Sequence, residues 1–332
     1  MTLQQNSEFE EFANDVAMCL AGKSKYLSPK YLYDKIGSQL FEQICNQPEY
    51  YLTRTEVSIL HKHAPAISKL VGSNIQIIEL GSGSSSKTAI LLSYLSSQKK
   101  RIYYFPIDIS NSILTESARR LKSQFPNASI IGIRSDYNIG IDRAVTECMA
   151  AEKTKKNNNN SPYTKLVLFL GSSIGNFELK EARSLLQSIR QKLDTNDFLL
   201  IGFDLQKGES VLNAAYNDKA GITAKFNLNL LARINRELGG NFELGKFGHC
   251  AFYNREQHRI EMHLVSKTDQ QLYIGALGKT FFLKKDESIH TENSYKYSLS
   301  QIASLAEGCG FRIEKNFTDK KRWFDLALLS PS

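Results

Sequence analysis

A turn rich in glycine and serine, residues 79–88 (ELGSGSSSKT), has the residue types and spacing of a ligand-binding loop. Gly81 and Gly83 carry no side chains, so a ligand can approach the backbone closely there. The turn nearly fits the dinucleotide-binding motif and the P-loop, but both motifs need a glycine where Ser86 stands. Because a side chain at that position obstructs a phosphate-wrapping loop, we expect a ligand that places no phosphate at this turn.

Two carboxylates come at the ends of the next two predicted strands. Asp108 ends the second strand, where a carboxylate can accept hydrogen bonds from both hydroxyls of a ribose. Asp136 follows the third strand beside Tyr137, where its oxygens can meet an adenine amino group. Turn or capping chemistry is the alternative interpretation of both acids. With the glycine turn, and a helix N-terminus that suits a carboxylate, they indicate S-adenosylmethionine as the cofactor.

Other kinds of reactive site find little support in the sequence. The loop after the fourth predicted strand, residues 171–176 (GSSIGN), is not the proline- and tyrosine-containing motif of nucleic-acid amine methyltransferases. No His/Cys cluster has the spacing of metal ligands, so we expect no metal site. The five cysteines are odd in number and widely scattered, which predicts buried free thiols in a reducing compartment, the cytoplasm.

The elements that must position these residues alternate between strand and helix. Near-continuous apolar strands separated by amphipathic helices are typical of a parallel sheet covered on both faces. The predicted strands are 75–80, 103–107, 130–134, 166–170 and 198–203, and the predicted helices are 87–96, 112–123 and 179–193. The chain then ends in a helix and two strands, predicted at 299–307, 311–316 and 323–329, as the sheet of a class I methyltransferase does.

We therefore predict an α/β fold, a doubly wound Rossmann-like sheet of the class I methyltransferase kind with a second, smaller α+β domain. Residues 55–204 and 293–332 form the predicted cofactor-binding domain. Residues 1–54 and 205–292, an N-terminal arm and an insertion, form the predicted substrate-binding domain. The asparagine-rich segment 152–161 (EKTKKNNNNS) lacks apolar periodicity, which predicts a loop.

Composition and charge limit the partners of the chain. Hydrophobic residues make up 42% of the sequence and charged residues 23%, as in globular proteins with a core. The apolar runs are strand-sized and the first twenty residues carry acids, so we expect neither a membrane span nor a signal peptide. The net charge of +8 would suit nucleic acid, but the basic residues occur in short clusters at predicted loops. Solvated loop charge explains them, and we expect no nucleic-acid partner.

Seven stretches of the sequence together carry a resemblance to a known family. They are residues 31–41 (YLYDKIGSQLF), 48–56 (PEYYLTRTE), 79–88, 169–176 (FLGSSIGN), 215–226 (AYNDKAGITAKF), 259–262 (RIEM) and 291–296 (TENSYK). In this order they resemble the histidine N-α-methyltransferases of ergothioneine biosynthesis, a histidine-specific family that uses S-adenosylmethionine. The segments PEYY-x-TR and GSSIGN are the most specific. This sequence departs modestly, with Ser173 where threonine is usual and Tyr137 where phenylalanine is usual.

The resemblance implies a role for each matched residue in a two-domain monomer. The implied cofactor-binding residues are Gly81, Lys87, Asp108, Asp136 and Tyr137, and we add Gly83 of the glycine turn and Gly171 of the segment GSSIGN. The implied residues for the carboxylate and amine of the amino acid are Tyr50, Asn176 and Tyr216. Tyr33 would lie beside the amine, Glu292 and Ser294 would meet the imidazole, and Met262 would pack near it. Judged singly, the tyrosines would be packing residues and Glu292 a solvated acid.

The expected reaction is transfer of methyl groups to the α-amine of free L-histidine, repeated to give the trimethylated betaine hercynine. Tyr33 and Asn176 are the catalytic candidates, because they could orient the neutral amine and pass its proton to water without a strong base. One alternative is another free amino acid, such as tryptophan or tyrosine. The others are an RNA or protein methyltransferase that uses the basic loops, and a binding module without activity.

Overall fold

The computed structural model describes residues 3–72, 74–98, 101–153 and 163–332. The predicted loop at 152–161 therefore lies outside the described residues, except for its first two positions, which end a helix. In the described part of the chain the α-helices are α1 (Leu3–Ala21), α2 (Lys35–Cys45), α3 (Tyr51–Leu70), α4 (Ser86–Ser97), α5 (Asn111–Gln124), α6 (Tyr137–Lys153), α7 (Leu179–Arg190), α8 (Glu209–Tyr216), α9 (Ile222–Leu238) and α10 (Leu299–Gly308). None of them combines the length and the apolar character that crossing a membrane requires.

The strands belong to three sheets. They are β1 (Lys25–Tyr26), β2 (Asn74–Leu80), β3 (Arg101–Asp108), β4 (Ala128–Ile130), β5 (Ile133–Arg134), β6 (Thr164–Phe169), β7 (Phe198–Asp204), β8 (Phe247–Asn254), β9 (Arg259–Ser266), β10 (Gln270–Ile274), β11 (Lys279–Leu283), β12 (Ser288–Tyr295), β13 (Phe311–Thr318) and β14 (Phe324–Pro331). The chain divides into two compact units, a larger one of Leu52–Lys207 and Tyr295–Ser332, and a smaller one of Met1–Tyr51 and Gly208–Ser294.

The larger unit is built on one sheet with the strand order β13-β14-β7-β6-β2-β3-β4, and β5 also pairs with β3. The strands β2, β3, β4, β6 and β7 are parallel, whereas β14 runs antiparallel to β7 and to β13. The predicted class I methyltransferase sheet, with its terminal hairpin, is confirmed. The order of the strands reverses between β2 and β6, and ligands bind at the carboxyl ends of the strands at such a switch point.

Both faces of this sheet are buried, as the near-continuous apolar strands predict. Along β2 the side chains of Ile75 and Ile77 enter one core, and those of Ile78 and Leu80 enter the core on the other face. Because successive side chains point to opposite faces, each strand contributes to both layers. This double burial fixes the register of the strands, and with it the positions of the turns at their ends.

The third predicted strand and one predicted helix differ from the structure. The stretch predicted at 130–134 is two short strands, β4 and β5, because Ile131 turns outward and Gly132 packs closely against Leu114, to whose Cγ a Cβ would come within 3.1 Å. The helix predicted at 179–193 ends at Arg190, although Leu193 is still buried. No helix is predicted above where the structure has α6, although Ile141, Ala144 and Cys148 recur there at helical spacing and are buried.

The smaller unit combines helices with a sheet of the order β1-β12-β9-β8 and a hairpin of β10 and β11. Asp34 accepts a hydrogen bond from the Gly37 N–H (2.6 Å), which caps α2, and another from the Asn229 side chain on α9 (2.8 Å). Arg236 of α9 forms an ion pair with the same carboxylate. These contacts fix the chain beside Tyr33, the residue that precedes Asp34.

One prediction about the cysteines is wrong. All five are free, and Cys148 and Cys309 are buried as expected, but Cys250 is exposed. It lies on β8, an edge strand of the smaller unit's sheet, where residues of one face meet solvent. Exposure of a thiol therefore follows from its place in the sheet, which the spacing of cysteines does not predict.

A buried acid in the larger unit has a perturbed ionisation. Asp325 lies on β14 opposite Phe203 of β7 and is fully buried. Neither carboxylate oxygen has a hydrogen-bond partner among the described residues. Burial raises the pKa of Asp325 to about 7, because the charged form loses its hydration.

Asp325 should therefore make the fold less stable as the pH rises. Its raised pKa means that the folded state holds a proton that the unfolded state has released, so stability falls from pH about 4 to about 7. We predict that Asp325→Asn flattens this fall. The Tm of the variant minus that of wild type should therefore be larger at pH 8 than at pH 5. Thermal unfolding across this range is the measurement, and Asp286→Asn at an exposed turn is the control. Parallel pH profiles for wild type and Asp325→Asn would contradict the assignment.

Candidate active site

The turn after β2 has the backbone that the glycine pattern predicts. Gly81 and Gly83 have φ values of +65° and +49°, a region that side chains disfavour. A Cβ on Gly81 would lie 3.0 Å from the hydroxyl oxygen of Tyr137, whereas a Cβ on Gly83 would meet no atom within 4 Å. The Ser82 hydroxyl is buried without a hydrogen-bond partner in the described part of the chain. Open backbone beside an unsatisfied buried hydroxyl fits a ligand seated on this turn.

Asp108 lies at the end of β3, beside this turn. Its Oδ2 accepts a hydrogen bond from the Gly83 N–H (2.8 Å), and its Oδ1 accepts one from the Ser110 N–H (2.8 Å). Burial raises the pKa of this carboxyl, and the backbone donors partly oppose that rise. A carboxylate oxygen can accept more than one hydrogen bond, so both oxygens can also receive ligand hydroxyls.

A second acid, Glu79, lies beneath the turn. It is buried, accepts a hydrogen bond from the Thr88 hydroxyl (2.6 Å) and contacts the Tyr104 hydroxyl. Burial raises the pKa of Glu79 to about 7. The Tyr104 hydroxyl also lies 2.8 Å from the hydroxyl of Ser85, whose φ is +52°. Through the Thr88 hydroxyl, Glu79 thus holds the first turn of α4 in position.

Glu56 of α3 joins the β2 turn to the loop after β6. This fully buried carboxylate pairs with the Lys87 Nζ (2.7 Å) and accepts the N–H of Gly171 (2.9 Å). Two glycines leave room for the arrangement. A Cβ on Gly202 would lie 2.6 Å from the Glu56 Oε1, and a Cβ on Gly171, where φ is +80°, would lie 2.9 Å from the Lys87 Nζ.

The sequence interpretation missed Glu56, although it ends the motif PEYYLTRTE. A signal was available, because Leu52, Glu56, Ile59 and Leu60 fall on one face of α3 at helical spacing. The three apolar members of this stripe are buried. An acid within a buried stripe needs an ionic partner, and here Lys87 supplies it.

Asp136 immediately precedes α6, and Tyr137 is the first residue of this helix. Asp136 is exposed, and its Oδ1 accepts the Ile139 N–H (3.0 Å), so the capping role considered above is present. Tyr137 covers Gly81, and its ring contacts those of Phe169 (5.4 Å) and Phe177 (5.9 Å). Burial raises the pKa of the Tyr137 hydroxyl well above its ordinary range. This side chain is therefore a neutral aromatic wall beside the glycine turn.

The loop after β6 carries Asn176 at the end of a short 3₁₀ helix, Ser173–Asn176. Ser172 adopts φ +58°, and its hydroxyl accepts the N–H of Asp204 (2.8 Å). At Gly175 a Cβ would lie 2.9 Å from the Tyr295 carbonyl oxygen, so only glycine fits. These contacts hold half-buried Asn176 on the loop that also supplies Gly171.

The smaller unit brings together the predicted aromatic residues. Rings of Tyr33 and Phe41 are 5.6 Å apart, those of Phe41 and Tyr50 are 6.2 Å apart, and those of Tyr50 and Tyr216 are 6.2 Å apart. Phe226 completes this aromatic cluster, 5.5 Å from Tyr33. Burial raises the pKa of Tyr50 well above its ordinary value, and Tyr216 adds to this effect. Its hydroxyl therefore remains a hydrogen-bond donor near neutral pH.

The polar residues predicted for substrate binding lie beside this cluster. The Tyr216 hydroxyl donates to the Ser294 hydroxyl at 2.7 Å. Glu292, two residues away on β12, is close enough for its charge to raise the pKa of Tyr50. Met262 on β9 is buried, and its carbonyl accepts the Thr291 hydroxyl (3.0 Å).

The structure thus places the predicted site residues in two sets. The cofactor set lies in the larger unit, where contacts join Gly81 to Tyr137, Gly83 to Asp108 and Lys87 to Gly171. The substrate set lies in the smaller unit, except for Asn176, which belongs to the larger one. The binding role of each residue stays a prediction.

Comparison with known proteins gives a consistent result along the chain. A family model described as histidine-specific methyltransferase, SAM-dependent, matches residues 12–331. A histidine N-alpha-methyltransferase of Mycolicibacterium smegmatis is 33% identical over 328 residues, 98% of this chain and 97% of that protein. Its namesake in Mycobacterium tuberculosis is 33% identical over 95% of this chain and 93% of that protein. The ergothioneine biosynthesis protein 1 of Neurospora crassa is 32% identical over 86% of this chain, but only 31% of that protein is covered.

The contact between Gly171 and Lys87 allows a test of the cofactor set. Alanine at position 171 would strain the left-handed backbone by roughly 1–2 kcal/mol and displace the Lys87 ammonium. We predict that Gly171→Ala weakens binding of S-adenosylmethionine by at least about tenfold, or ~1.4 kcal/mol, in calorimetry. Gly208→Ala, where a Cβ meets no atom within 4 Å, is the matched control. Affinity within twofold of wild type in Gly171→Ala would remove this loop from the site.

Proposed function

Since the chain belongs to the family of histidine-specific, S-adenosylmethionine-dependent methyltransferases, we propose that it methylates the α-amine of free L-histidine. The reaction is repeated to give the trimethylated betaine hercynine, for ergothioneine biosynthesis. The observation that carries the choice of substrate is the grouping of Tyr50, Tyr216, Glu292 and Ser294 beside an aromatic cluster. This set offers hydroxyls for a carboxylate and an anionic acceptor for an imidazole N–H.

The residues of the larger unit hold the cofactor in this proposal. Asp108 receives the ribose hydroxyls. Each of its oxygens accepts one backbone N–H and can accept a further hydrogen bond. The Lys87 ammonium carries three N–H donors and gives one to Glu56, so in this proposal it also binds the carboxylate of the cofactor. Tyr137 and Asp136 border the adenine. Bound S-adenosylmethionine supplies an electrophilic methyl group on a sulfonium sulfur.

The residues of the substrate set orient the amine. Methyl transfer is an in-line displacement, so catalysis comes mainly from alignment of the nitrogen with the methyl carbon. The nitrogen needs a free lone pair, and Tyr33 and Asn176 orient the neutral amine and pass its proton to water. Tyr50 keeps a protonated hydroxyl that donates to the substrate carboxylate. The Tyr216 hydroxyl has one proton, so it donates to the carboxylate by giving up its hydrogen bond to Ser294. No strong general base is needed.

The aromatic cluster also suits the later products of the reaction. Each methyl transfer leaves a bulkier nitrogen, and the trimethylated product carries a permanent positive charge. Aromatic faces attract quaternary ammonium groups by about 0.5–2 kcal/mol. Tyr33 and Phe226, whose rings lie 5.5 Å apart, provide such faces within the smaller unit. Repeated methylation therefore meets no electrostatic obstacle there.

We further propose that the protein works as a monomer in the cytoplasm, on a small molecule and without a nucleic-acid partner. The free state of all five cysteines supports a reducing compartment. Several exposed basic residues form isolated ion pairs away from the predicted sites. For example, Arg255 pairs with Glu209, and Lys284 pairs with Asp269.

The proposal predicts how wild type and two variants choose among amino acids. Wild type should methylate histidine in preference to the other nineteen when each is incubated with S-adenosylmethionine. Glu292→Ala should lower kcat/KM for histidine by about ten- to several-hundred-fold, because a buried imidazole N–H loses its acceptor. Adding Met262→Val opens room and should raise activity toward larger apolar or aromatic amino acids.

Exposed Glu256→Ala is the matched control for Glu292→Ala and should retain wild-type kinetics. If the Glu292→Ala/Met262→Val variant still preferred histidine as its substrate, Glu292 would not be the residue that binds the imidazole. Wild-type preference for tryptophan or tyrosine would show that the enzyme acts on another free amino acid.

A further inference from the structure

A cluster of three potential metal ligands lies on the smaller unit's sheet. Glu261 and His263 are two residues apart on β9, so their side chains share one face, whereas Met262 between them points to the other. His290 lies on the neighbouring strand, β12. One possible ligand atom from each of the three residues lies within 4.8 Å of the others. The cluster and Met262, which is predicted to pack near the imidazole of the substrate, therefore lie on opposite faces of β9.

The carboxylate of this cluster is held in place by its neighbours. Its Oε1 accepts hydrogen bonds from the Arg259 Nε and the Asn254 side chain, each at 2.9 Å. The other oxygen, Oε2, lies 3.3 Å from the His263 Nε2. Glu261 is 9% exposed, so the carboxylate is ordered by protein groups.

The two imidazoles are also fixed in orientation. His263 stacks on Phe252, with ring centroids 5.4 Å apart and planes 13° apart. His290 stacks on Tyr26 at 5.7 Å, and its Nε2 lies 2.9 Å from the Asn293 Oδ1. An acceptor on one ring nitrogen leaves the lone pair of a neutral imidazole on the other nitrogen. Such a second hydrogen bond is the usual support of a metal-binding histidine.

One atom in the cluster is unsatisfied. The His263 Nδ1 is buried and has no hydrogen-bond partner among the described residues. A buried polar atom without a partner costs about 1–3 kcal/mol.

We propose that Glu261, His263 and His290 bind a zinc ion, contrary to the expectation from sequence of no metal site. Two imidazoles and one carboxylate are a common zinc donor set, with the fourth position left to water. In a tetrahedral site, zinc–ligand bonds of about 2.0–2.2 Å put the ligand atoms roughly 3.3–3.6 Å apart. A pair of atoms at the 4.8 Å limit would therefore close by up to roughly 1.5 Å on binding. The Arg259 charge beside Glu261 disfavours magnesium and calcium, which depend on several anionic oxygens.

The zinc ion would join β9 to β12. These strands also carry Met262 and the pair Glu292 and Ser294, which the proposed function assigns to the imidazole. The ion would therefore stabilise the pairing of the two strands that carry that part of the site. Ligand binding to the folded state alone raises Tm, so zinc binding has a readout that does not depend on activity.

The test is equilibrium dialysis of the EDTA-stripped protein against zinc chloride, with bound metal counted by mass spectrometry. Free histidine is left out because it chelates zinc. We expect wild type to bind a single zinc ion, with a rise in Tm. His263→Gln and His290→Gln should each weaken binding by at least about tenfold, the scale of losing a supporting group of a metal site. His61→Gln, at an exposed position on α3, should bind like wild type.

The exposed thiol of Cys250 needs a separate control, because Cys250 lies directly opposite His263 on β8. Cys250→Ser should keep its zinc. Loss of zinc in Cys250→Ser, with retention in both histidine variants, would assign the metal to the thiol and overturn the proposal. Failure of the wild-type protein to bind zinc, or to gain Tm from it, would overturn the proposal as well. Metal content and Tm are measured without methylation of histidine, so the two proposals are tested separately.

Discussion

The ion pair between Glu56 and Lys87 is the contact on which the cofactor side of the molecule depends. A fully buried carboxylate is tolerated only with an opposite charge and good hydrogen bonds, and Lys87 and the Gly171 N–H provide both. Gly202 leaves space for the carboxylate, and Gly171 leaves space for the ammonium. One acid thus fixes the start of α4 and the loop after β6, on the two sides of the switch point in the sheet. The cofactor turn is therefore set before any ligand binds, which lowers the cost of ordering it.

The smaller unit follows a different physical logic. Its candidate site consists of aromatic rings with a few hydroxyls and one carboxylate. Specificity for the amino acid therefore depends on whether the substrate offers hydrogen-bond partners to these few polar groups. The contact of Tyr216 with Ser294 fixes the two hydroxyls relative to each other. Burial keeps the Tyr50 hydroxyl protonated. A substrate that lacks an N–H near Glu292 would leave the Glu292 carboxylate poorly paired. Discrimination between amino acids by such an unpaired buried group is steep.

How far the sequence predicts these features depends on the distance along the chain over which each is formed. The Gly81 turn and Asp108 could be predicted, because each follows a buried strand and parallel strands bring their ends together. The helical stripe of α3 marks Glu56 as a buried acid, but its partners could not be predicted, since they are 31 and 115 residues away. The cluster of His263 and His290 likewise needs two strands to meet. The motif resemblance supplied the substrate residues, whose spacing alone indicates only packing.

The most direct measurement is the structure of the product made by the wild-type enzyme. S-adenosylmethionine with a deuterated methyl group is incubated with L-histidine, and fragmentation in tandem mass spectrometry locates the label. We expect the label to accumulate on the α-nitrogen until the trimethylated betaine is formed, with none on the imidazole. Label on a ring nitrogen, or none on histidine at all, would contradict it.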